Sequence, residues 1–485
     1  MWDPWPSKPP EWTLDSYNVL MESEYVQKMP KITLQQIIEN SKKFPIEFPI
    51  ETIKCETLLT STPEDVLEKN INSVYPVVHE KVLNLYAQFL SYKRKFGTSI
   101  EKQLYKDMNL EMLVDRLLTK RALVFVGYHD KCMLMDGFGR VGNWEKIGKP
   151  EEKQPFVLNN CLSYDEIKLS ALLSVSSYTE FINIGDRNNC GKIESNKNKI
   201  EQRGIIIGVI GARFEKAKVM EYQDIMVTKE QNIQENGYGT CLVPTVKGLF
   251  LNFYGELSLT FEEIKDQLEN TIKFTQIRKD QYFNNMVYER RLSLSIDTLL
   301  IEANERAKTA GVMAFVHVVG FGLGVWKIAQ HQEKIFMDTF ARRIEFLSST
   351  LMHIADICFS YIKETSCGKC KSGDTFPIEG HHNNGIRIHI FNRDPHEKLT
   401  NSCEGNLLIV SYAWDGNALP GNEFWLGQLA ASGDPAAASS TQIAEIHNPH
   451  INPVVCAVNL RVATLTGLCT LAEYQDRVKR EQNKV

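Results

Sequence analysis

Apolar residues in the first part of the chain recur with the spacing of amphipathic helices. They cluster every three or four positions around 34–38, 82–90 and 110–118, which places them on one face of a helix in each segment. Residues 1–20 are instead rich in proline and tryptophan, and we expect an extended arm there. The pattern predicts an N-terminal arm and helical accessory region over residues 1–120, followed by a second domain over 121–485.

Beyond residue 120, short continuous apolar runs alternate with helical patterns. The runs predict buried strands at 122–128, 181–183, 204–213, 248–254, 312–319, 385–390 and 406–411. The helical patterns predict helices at about 261–272 and 286–308, and from about 325 to 346 with a continuation toward 362. This alternation predicts an α/β fold, with a largely parallel or mixed sheet and helices on both of its faces.

Composition and charge exclude several classes of protein. The 55 Lys and Arg residues against 60 Asp and Glu residues give a net charge of −5, so we expect no nucleic-acid partner. The eleven cysteines are scattered and the N-terminus does not resemble a secretory signal, which predicts a reducing, cytoplasmic location. The longest apolar run covers only 311–326, whereas a membrane-spanning helix needs about 20 apolar residues, so we expect no membrane segment.

A glycine-rich segment between a predicted strand and a predicted helix is the first candidate binding site. It consists of Gly320, Phe321, Gly322, Leu323 and Gly324. Glycines allow a ligand to approach the backbone closely, and the N-terminus of a following helix would favour a diphosphate. The spacing is not G-x-G-x-x-G, so nicotinamide binding is not indicated. The segment also resembles the glycine loop of S-adenosylmethionine-dependent methyltransferases, and a tight turn without a ligand would explain it as well.

Three acidic residues follow the predicted strand at 406–411 and form the second candidate site. They are Asp415, Glu423 and Asp434, and the glycine, proline and asparagine turns between them allow them to converge. In open α/β sheets ligands bind just beyond the carboxyl ends of the strands. Trp414 offers a flat apolar wall for a base or a sugar. Structural roles compete with this interpretation, because Asp434 before a proline suits a helix N-cap and the other two suit turns and helix starts.

Two weaker signals leave their chemistry open. Cys367 and Cys370, followed by His381 and His382, are residue types that bind zinc, but the chain has only one such CxxC pair here. Arg187 lies in a polar segment after a predicted strand and could hold a phosphate, although solvation of a loop would explain it equally well.

Four short segments resemble the MavL-type macrodomains. They lie at 412–417 (Tyr-Ala-Trp-Asp-Gly-Asn), 421–425 (Gly-Asn-Glu-Phe-Trp), 432–435 (Ser-Gly-Asp-Pro) and 448–452 (Asn-Pro-His-Ile-Asn). The wider resemblance covers about 120–470. It implies a macrodomain-like three-layer α/β/α fold with a mixed sheet, related to poly(ADP-ribose) glycohydrolase, in addition to the N-terminal helical region.

The resemblance also implies an activity and its partners. The activity is hydrolysis of ADP-ribose from arginine side chains of proteins, with ubiquitin as one candidate substrate. The implied partners are ADP-ribose and ADP-ribosylated protein, and no cofactor or metal is implied. The segment 320–324 would be the diphosphate-binding loop, and Asp415, Glu423 and Asp434 would be the catalytic residues.

Physical chemistry agrees with these roles. Cleavage of an N-glycosidic bond passes through an oxocarbenium-like state that carboxylates stabilise, and guanidinium groups pair well with carboxylates. We predict that Asp415 orients the terminal ribose and its attacking water, while Glu423 and Asp434 hold the guanidinium or act as general base. Trp414, Asn417 and Asn422 are predicted to contact ADP-ribose, the two amides through ribose hydroxyls. A module that binds ADP-ribose without cleaving it is the alternative.

Overall fold

A computed structural model describes residues 2–23, 31–430 and 432–483 of the chain. The strands found in these residues are β1 (Tyr75–His79), β2 (Val124–Val126), β3 (Lys131–Met133), β4 (Gly139–Val141), β5 (Leu173–Glu180), β6 (Arg203–Val209), β7 (Met226–Thr228), β8 (Phe274–Arg278), β9 (Gln281–Asn284), β10 (Ala314–Val318), β11 (Ile354–Phe359), β12 (Ser366–Cys367), β13 (Cys370–Lys371), β14 (Thr375–Pro377), β15 (Gly385–Ile390), β16 (Leu407–Ala413), β17 (Arg461–Thr464) and β18 (Gly467–Thr470).

One large mixed sheet has the order β14-β15-β11-β10-β16-β6-β5-β1-β17-β18. Strands β15, β11, β10, β16 and β6 run parallel to one another, and β14 and β5 flank them in the antiparallel direction. In this register Val410 of β16 pairs with His317 on one side and Ile206 on the other. The carboxyl ends of the parallel strands therefore meet at one edge. Strands β2–β3–β4 and β7–β9–β8 form two smaller antiparallel sheets.

The helices of the described residues are α1 (Leu14–Met21), α2 (Leu34–Lys43), α3 (Cys55–Leu58), α4 (Glu64–Asn72), α5 (Glu80–Phe96), α6 (Ser99–Tyr105), α7 (Leu110–Thr119), α8 (Tyr164–Ser170), α9 (Tyr222–Ile225), α10 (Val246–Phe253), α11 (Phe261–Ile264), α12 (Asn285–Ala310), α13 (Gln332–Phe346), α14 (Gly433–Ala438), α15 (Ile443–Ile446) and α16 (Leu471–Gln482). None of these helices is both long and apolar enough to cross a membrane.

Both faces of the large sheet are covered. Helix α12 crosses one face, where it contacts β1, β6, β10, β11 and β16. Ile409 of β16 is buried in the main core, whereas its neighbours Leu408 and Val410 are buried in a second, smaller core. Successive side chains of a strand point to opposite faces, so the two cores lie on opposite sides of the sheet. The predicted mixed α/β architecture is confirmed at this level.

Several predicted elements are confirmed and others are wrong. The predicted strand at 181–183 is not present, because β5 already ends at Glu180. Strands β6, β10, β15 and β16 and helix α12 lie where the pattern predicts them. The predicted strand at 248–254 is instead helix α10, which begins after Thr245, whose side chain accepts a hydrogen bond from the Gly248 N–H. A short apolar run does not by itself distinguish a buried strand from a buried helix.

The predicted helix after the glycine segment is also displaced. Helix α13 begins only at Gln332, and the Gln332 side chain accepts hydrogen bonds from the N–H groups of Ile328 and Ala329 in the segment before it. The helix ends at Phe346, and the predicted continuation toward residue 362 contains the buried strand β11. The glycine segment therefore has no helix N-terminus directly behind it.

The N-terminal region is helical over the predicted stretches, which form α2, α5 and α7. The predicted extended arm over residues 1–20 is wrong in its last part, because helix α1 begins at Leu14 after Thr13, whose side chain caps it. It also contributes β1, which pairs in parallel with β17 and antiparallel with β5 inside the large sheet. The predicted domain boundary at residue 120 therefore separates β1 from β5 and β17, the two strands with which it pairs in the large sheet. The predicted strand at 122–128 is shortened to β2, and it belongs to a small antiparallel sheet and not to the large one.

Candidate functional site

A cleft lies at the edge where the parallel strands end. Gly211, Gly320 and Asp415 each stand two residues beyond the end of their strand, β6, β10 and β16 respectively. All three line one cleft of about 750 Å³, a volume in the usual range for small-molecule sites. The position agrees with the rule that open α/β sheets bind ligands at the carboxyl ends of their strands.

The glycine segment forms one wall of this cleft. Gly320, Gly322, Leu323 and Gly324 line it. Gly322 has a φ of +77°, which only glycine adopts without strain. The Phe321 side chain points away from the cleft, is fully buried, and packs on Phe336 with ring centroids 4.9 Å apart. This side chain anchors the loop from behind, and only its backbone remains near the cleft.

The backbone after β6 supports the glycine segment at very short range. A Cβ atom placed on Gly211 would lie 2.4 Å from both the Cα and the N atom of Gly322. The two backbones therefore touch, and the shape of the loop depends on a glycine at position 211. Gly211 was not a predicted site residue, because it lies inside the predicted strand at 204–213, which in the structure already ends at Val209.

The three predicted carboxylates meet in this same cleft. Asp415, Glu423 and Asp434 all line it together with Trp414. The carboxylate of Asp434 accepts hydrogen bonds from the N–H groups of Asp415, at 3.1 Å, and Gly421, at 2.8 Å. The N-cap alternative for Asp434 is wrong, because Ser432 is the N-cap of α14. Asp434 instead holds the turn that carries Asp415.

Burial and like charge keep protons on this group of carboxyls. Burial raises the pKa of Asp415 to about 7, and the nearby charge of Glu423 adds to the effect. Burial also raises the pKa of Glu423, and burial together with Asp415 raises the pKa of Asp434 well above its ordinary value. Carboxylates this close cannot all ionise at neutral pH, so the group retains at least one proton.

Trp414 forms a rigid side wall. Its indole Nε1–H donates to the Ala418 carbonyl at 3.0 Å, and the Arg121 guanidinium lies 4.0 Å from the ring centre. Arg121 in turn donates to the carbonyls of Ser170 and Gly416. The wall beside Asp415 is therefore fixed by a buried cation and a network of backbone hydrogen bonds.

The two predicted ribose-binding amides do not line the cleft. The Asn422 Oδ1 accepts a hydrogen bond from the Phe125 N–H at 2.9 Å, and its Nδ2 donates to the Asp415 carboxylate. Asn422 is thus occupied in orienting Asp415. Asn417 is 2% exposed and borders a small separate cavity that Asp415 and Arg213 also border. Both amides lie behind Asp415 and not in front of it.

The structure adds charged residues that the sequence signalled only weakly. Arg187, for which the sequence left a phosphate contact open, lines the cleft, as do Lys327 and Lys363. Glu215 follows β6 closely, and its carboxylate accepts hydrogen bonds from Arg213 at 2.9 and 3.2 Å. Its negative charge raises the pKa of both Asp415 and Glu423, although Glu215 itself is not among the residues that line the cleft.

The zinc alternative finds no support in the side-chain positions. Cys367 donates its thiol proton to the Met337 carbonyl, and His381 is hydrogen-bonded to the Ile354 carbonyl. Among the described residues, one group places three possible metal-binding atoms near one another, and it is Asp356, His389 and Cys403. This group does not line the cleft.

Comparisons with known proteins match most of the chain. A family model described as "ADP-ribosylhydrolase MavL-like" matches residues 35–477. The chain is 43% identical over 458 residues to ADP-ribosylarginine hydrolase CG2909 of Drosophila melanogaster, covering 93% of this chain and 90% of that protein. It is also 43% identical over 460 residues to ADP-ribosylarginine hydrolase CG3568 of the same organism, covering 90% of this chain and 87% of that protein.

Proposed function

The chain belongs to the MavL-like ADP-ribosylhydrolase family, and from this premise we propose that it removes ADP-ribose from arginine side chains of proteins by hydrolysing the N-glycosidic bond. The names of the two Drosophila relatives support the arginine linkage. The observation that carries the proposal for this chain is the shared cleft, in which Asp415, Glu423 and Asp434 stand beside the glycine segment. That arrangement suits a ligand with an anionic diphosphate and a cationic end.

The finer architecture that we propose is a macrodomain-like three-layer α/β/α fold. The parallel strands at the centre of the large sheet support it, as do the two cores on opposite faces of that sheet. We also propose a cytoplasmic location. All eleven cysteines carry free thiols, which is the usual state in a reducing compartment.

We propose that the diphosphate lies along the backbone of Gly320–Gly324 and that the terminal ribose points toward Asp415. Glycines 320, 322 and 324 leave the loop free of side chains, so that the ligand can approach its N–H groups. Trp414 would bound the ribose on one side. Asn422, which is buried and donates to the Asp415 carboxylate, would act on the position of Asp415 and not on the ribose hydroxyls. Asn417 borders the small separate cavity instead.

The proposed reaction uses one carboxylate for two proton transfers. Asp415 takes a proton from the attacking water while the bond between the ribose carbon and the guanidinium nitrogen breaks, and the bonding electrons leave with the nitrogen. The departing neutral guanidine then takes that proton, so the unmodified arginine side chain and free ADP-ribose form with no net proton change. Negative charge on Glu423 would stabilise the oxocarbenium-like state, and Asp434 would position Asp415 through its backbone N–H.

We predict an acid limb in the pH dependence of kcat/KM. Asp415 must be ionised to accept the proton from water, and its pKa in the free protein is raised to about 7. Activity should therefore be lost as the pH falls through about 7, by roughly tenfold for each further pH unit. The measurement is kcat/KM for an ADP-ribosylated arginine peptide between pH 5 and 9. A profile that is flat from pH 5 to 7 would remove Asp415 from the role of general base.

The direct test is release of free ADP-ribose from a protein that carries ADP-ribose on arginine. The purified chain is incubated with this protein, and with ADP-ribosylated ubiquitin as one further substrate, and the products are separated by chromatography. A parallel incubation uses ADP-ribose linked to serine, and we expect release only from arginine. Binding of the modified protein without any release of ADP-ribose would favour the reader alternative and contradict the proposal.

A further inference from the structure

Three side chains that can bind a metal ion meet on the large sheet, away from the cleft. Asp356 lies on β11, His389 lies on the neighbouring strand β15, and Cys403 lies on the segment that links β15 to β16. Their carboxylate oxygen, imidazole nitrogen and thiol sulfur all lie within 4.8 Å of one another. Strand pairing brings the first two side chains together, and the path of the chain after β15 adds the third.

Asp356 and His389 are held in direct contact. The Oδ1 atom of Asp356 lies 2.7 Å from Nε2 of His389, and its Oδ2 atom accepts a hydrogen bond from Asn406 at 3.2 Å. The His389 ring also packs against Phe315 and Phe391, with ring centroids 5.7 and 5.9 Å away. Asn406 is therefore placed as an outer partner that orients the carboxylate, as is usual around metal ligands.

The carboxylate of Asp356 is buried without a lysine or arginine beside it. Asp356 is 3% exposed, and within the described part of the chain no lysine or arginine nitrogen lies within 4.0 Å of its oxygens. Buried carboxylates are normally paired with a cation or bound to a metal, and a protonated His389 would be the competing partner. The His389 side chain is 15% exposed and Cys403 is half-buried, so an ion can enter from solvent.

We infer that Asp356, His389 and Cys403 form a binding site for a zinc ion. Thiolate, imidazole and carboxylate are the ligands that zinc takes in proteins, whereas magnesium and calcium prefer oxygen ligands alone. Zinc–ligand bonds of about 2.0–2.3 Å place neighbouring donor atoms about 3.3–3.7 Å apart, so side-chain movements of roughly 1 Å suffice. On binding, the Cys403 thiol releases its proton to solvent.

The zinc ion would tie the segment 391–406 to the large sheet. This segment connects β15 to β16, and its residues Pro395 and His396 line the cleft. The three zinc ligands themselves do not line the cleft. The role of the ion is therefore structural, and the inference does not depend on the proposed function.

The first test is binding of Co²⁺, which occupies zinc sites and reports its ligands by absorption. The full chain is freed of metal with a chelator, kept reduced and titrated with Co²⁺. We expect one ion per chain, with the visible bands of tetrahedral cobalt and the near-ultraviolet band of a cobalt–thiolate bond, and we expect Zn²⁺ to displace it. Cys403→Ser should lose the thiolate band. Asp356→Asn should weaken Zn²⁺ binding by about 100-fold or more, since the loss of an outer partner alone costs about 10- to 100-fold.

The matched control is Cys370→Ser, which removes another half-buried thiol, that of the CxxC pair. It should leave the cobalt spectrum and the dissociation constant of Zn²⁺ unchanged. If Cys370→Ser loses the thiolate band and Cys403→Ser keeps it, the inference is overturned and the ion belongs to Cys367 and Cys370.

The second test measures stability, which reports on the tie directly. With free Zn²⁺ about 100-fold above its dissociation constant, the melting temperature of a chain of this length should rise by about 2–3 °C. Backbone amides of the segment 391–406 should exchange their hydrogens more slowly at the same time. In chelator, Asp356→Asn and Cys403→Ser should melt close to the unaltered protein, and zinc should not raise their melting temperatures. No rise in the unaltered protein, or an equal rise in both variants, would show that Asp356 and His389 form only a structural hydrogen bond.

Discussion

Replacing Asp415 with asparagine is expected to abolish most of the hydrolysis and to stabilise the fold at the same time. The loss of a general base lowers turnover by about 100- to 10,000-fold. Asparagine is close in size to aspartate and has an oxygen that can accept the hydrogen bond from Asn422. The cleft should therefore keep its shape, and the binding of free ADP-ribose should be retained.

The gain in stability depends on pH in a defined direction. The folded chain holds the Asp415 proton more tightly than the unfolded chain, because burial raises its pKa from 3.8 to about 7. The contribution of Asp415 to the free energy of unfolding therefore falls as the pH rises from about 4 to 7. An asparagine at this position does not titrate, so the variant does not lose this stability. Allowing for partial contact with solvent, we expect Asp415→Asn to gain about 1–3 kcal/mol at pH 8 and little at pH 4.

The two halves of this prediction are measured separately. Turnover is followed by release of ADP-ribose, and stability by urea unfolding at pH 4 and pH 8. The control is Asp476→Asn, a change of the same kind on the exposed side of α16, which should alter neither quantity. Full turnover in Asp415→Asn would exclude the proposed mechanism, and an equal stability gain at both pH values would exclude the buried proton.

Replacing Gly211 with alanine is expected to displace the glycine segment 320–324, which forms the wall of the cleft that holds the diphosphate in the proposed function. The new Cβ would lie 2.4 Å from the Gly322 backbone, so either the strand end or the loop must move. Overpacking of this kind usually costs about 1–3 kcal/mol of stability. A shift of the loop by about 1 Å can lower activity by about 100-fold, because the diphosphate then holds the ribose in the wrong place.

The measurements for Gly211→Ala are the melting temperature, the dissociation constant of ADP-ribose and the rate of its release from arginine. Gly139→Ala serves as the control, because a Cβ at position 139 meets no atom within 4 Å and the backbone there does not have a positive φ. Normal ADP-ribose binding by Gly211→Ala would show that the glycine segment does not hold the ligand.

Local sequence patterns were sufficient for several central elements of the fold. Strands β10 and β16 are short apolar runs between turn residues, and α12 is a long helical pattern that is followed by its C-cap Gly311 in the left-handed conformation. The segments at 320–324 and 415–434 could be selected as candidate sites because both directly follow such strands. The same local rules failed for α10 and β11, since a short buried run has no period that distinguishes helix from strand.

The composition of the cleft could not be derived from local patterns. β6 and β10 flank β16 in the sheet but lie far from it in the chain, so only the strand order brings Gly211, Gly320 and Asp415 to one edge. Phe321 and Asn422 carry suitable side chains and stand in suitable segments, yet packing turns Phe321 into the core and hydrogen bonding commits Asn422 to Phe125 and Asp415.

The sequence by itself therefore determined the α/β class, the strands whose ends carry the site, and the family resemblance, because these depend on residues that are neighbours in the chain. The tertiary structure decided that β1 joins the large sheet, that Asp434 braces Asp415, and that Asn422 donates to the Asp415 carboxylate. The raised pKa of Asp415 belongs to this second group. Burial and the distance between like charges are properties of the packed chain, and no local pattern contains them.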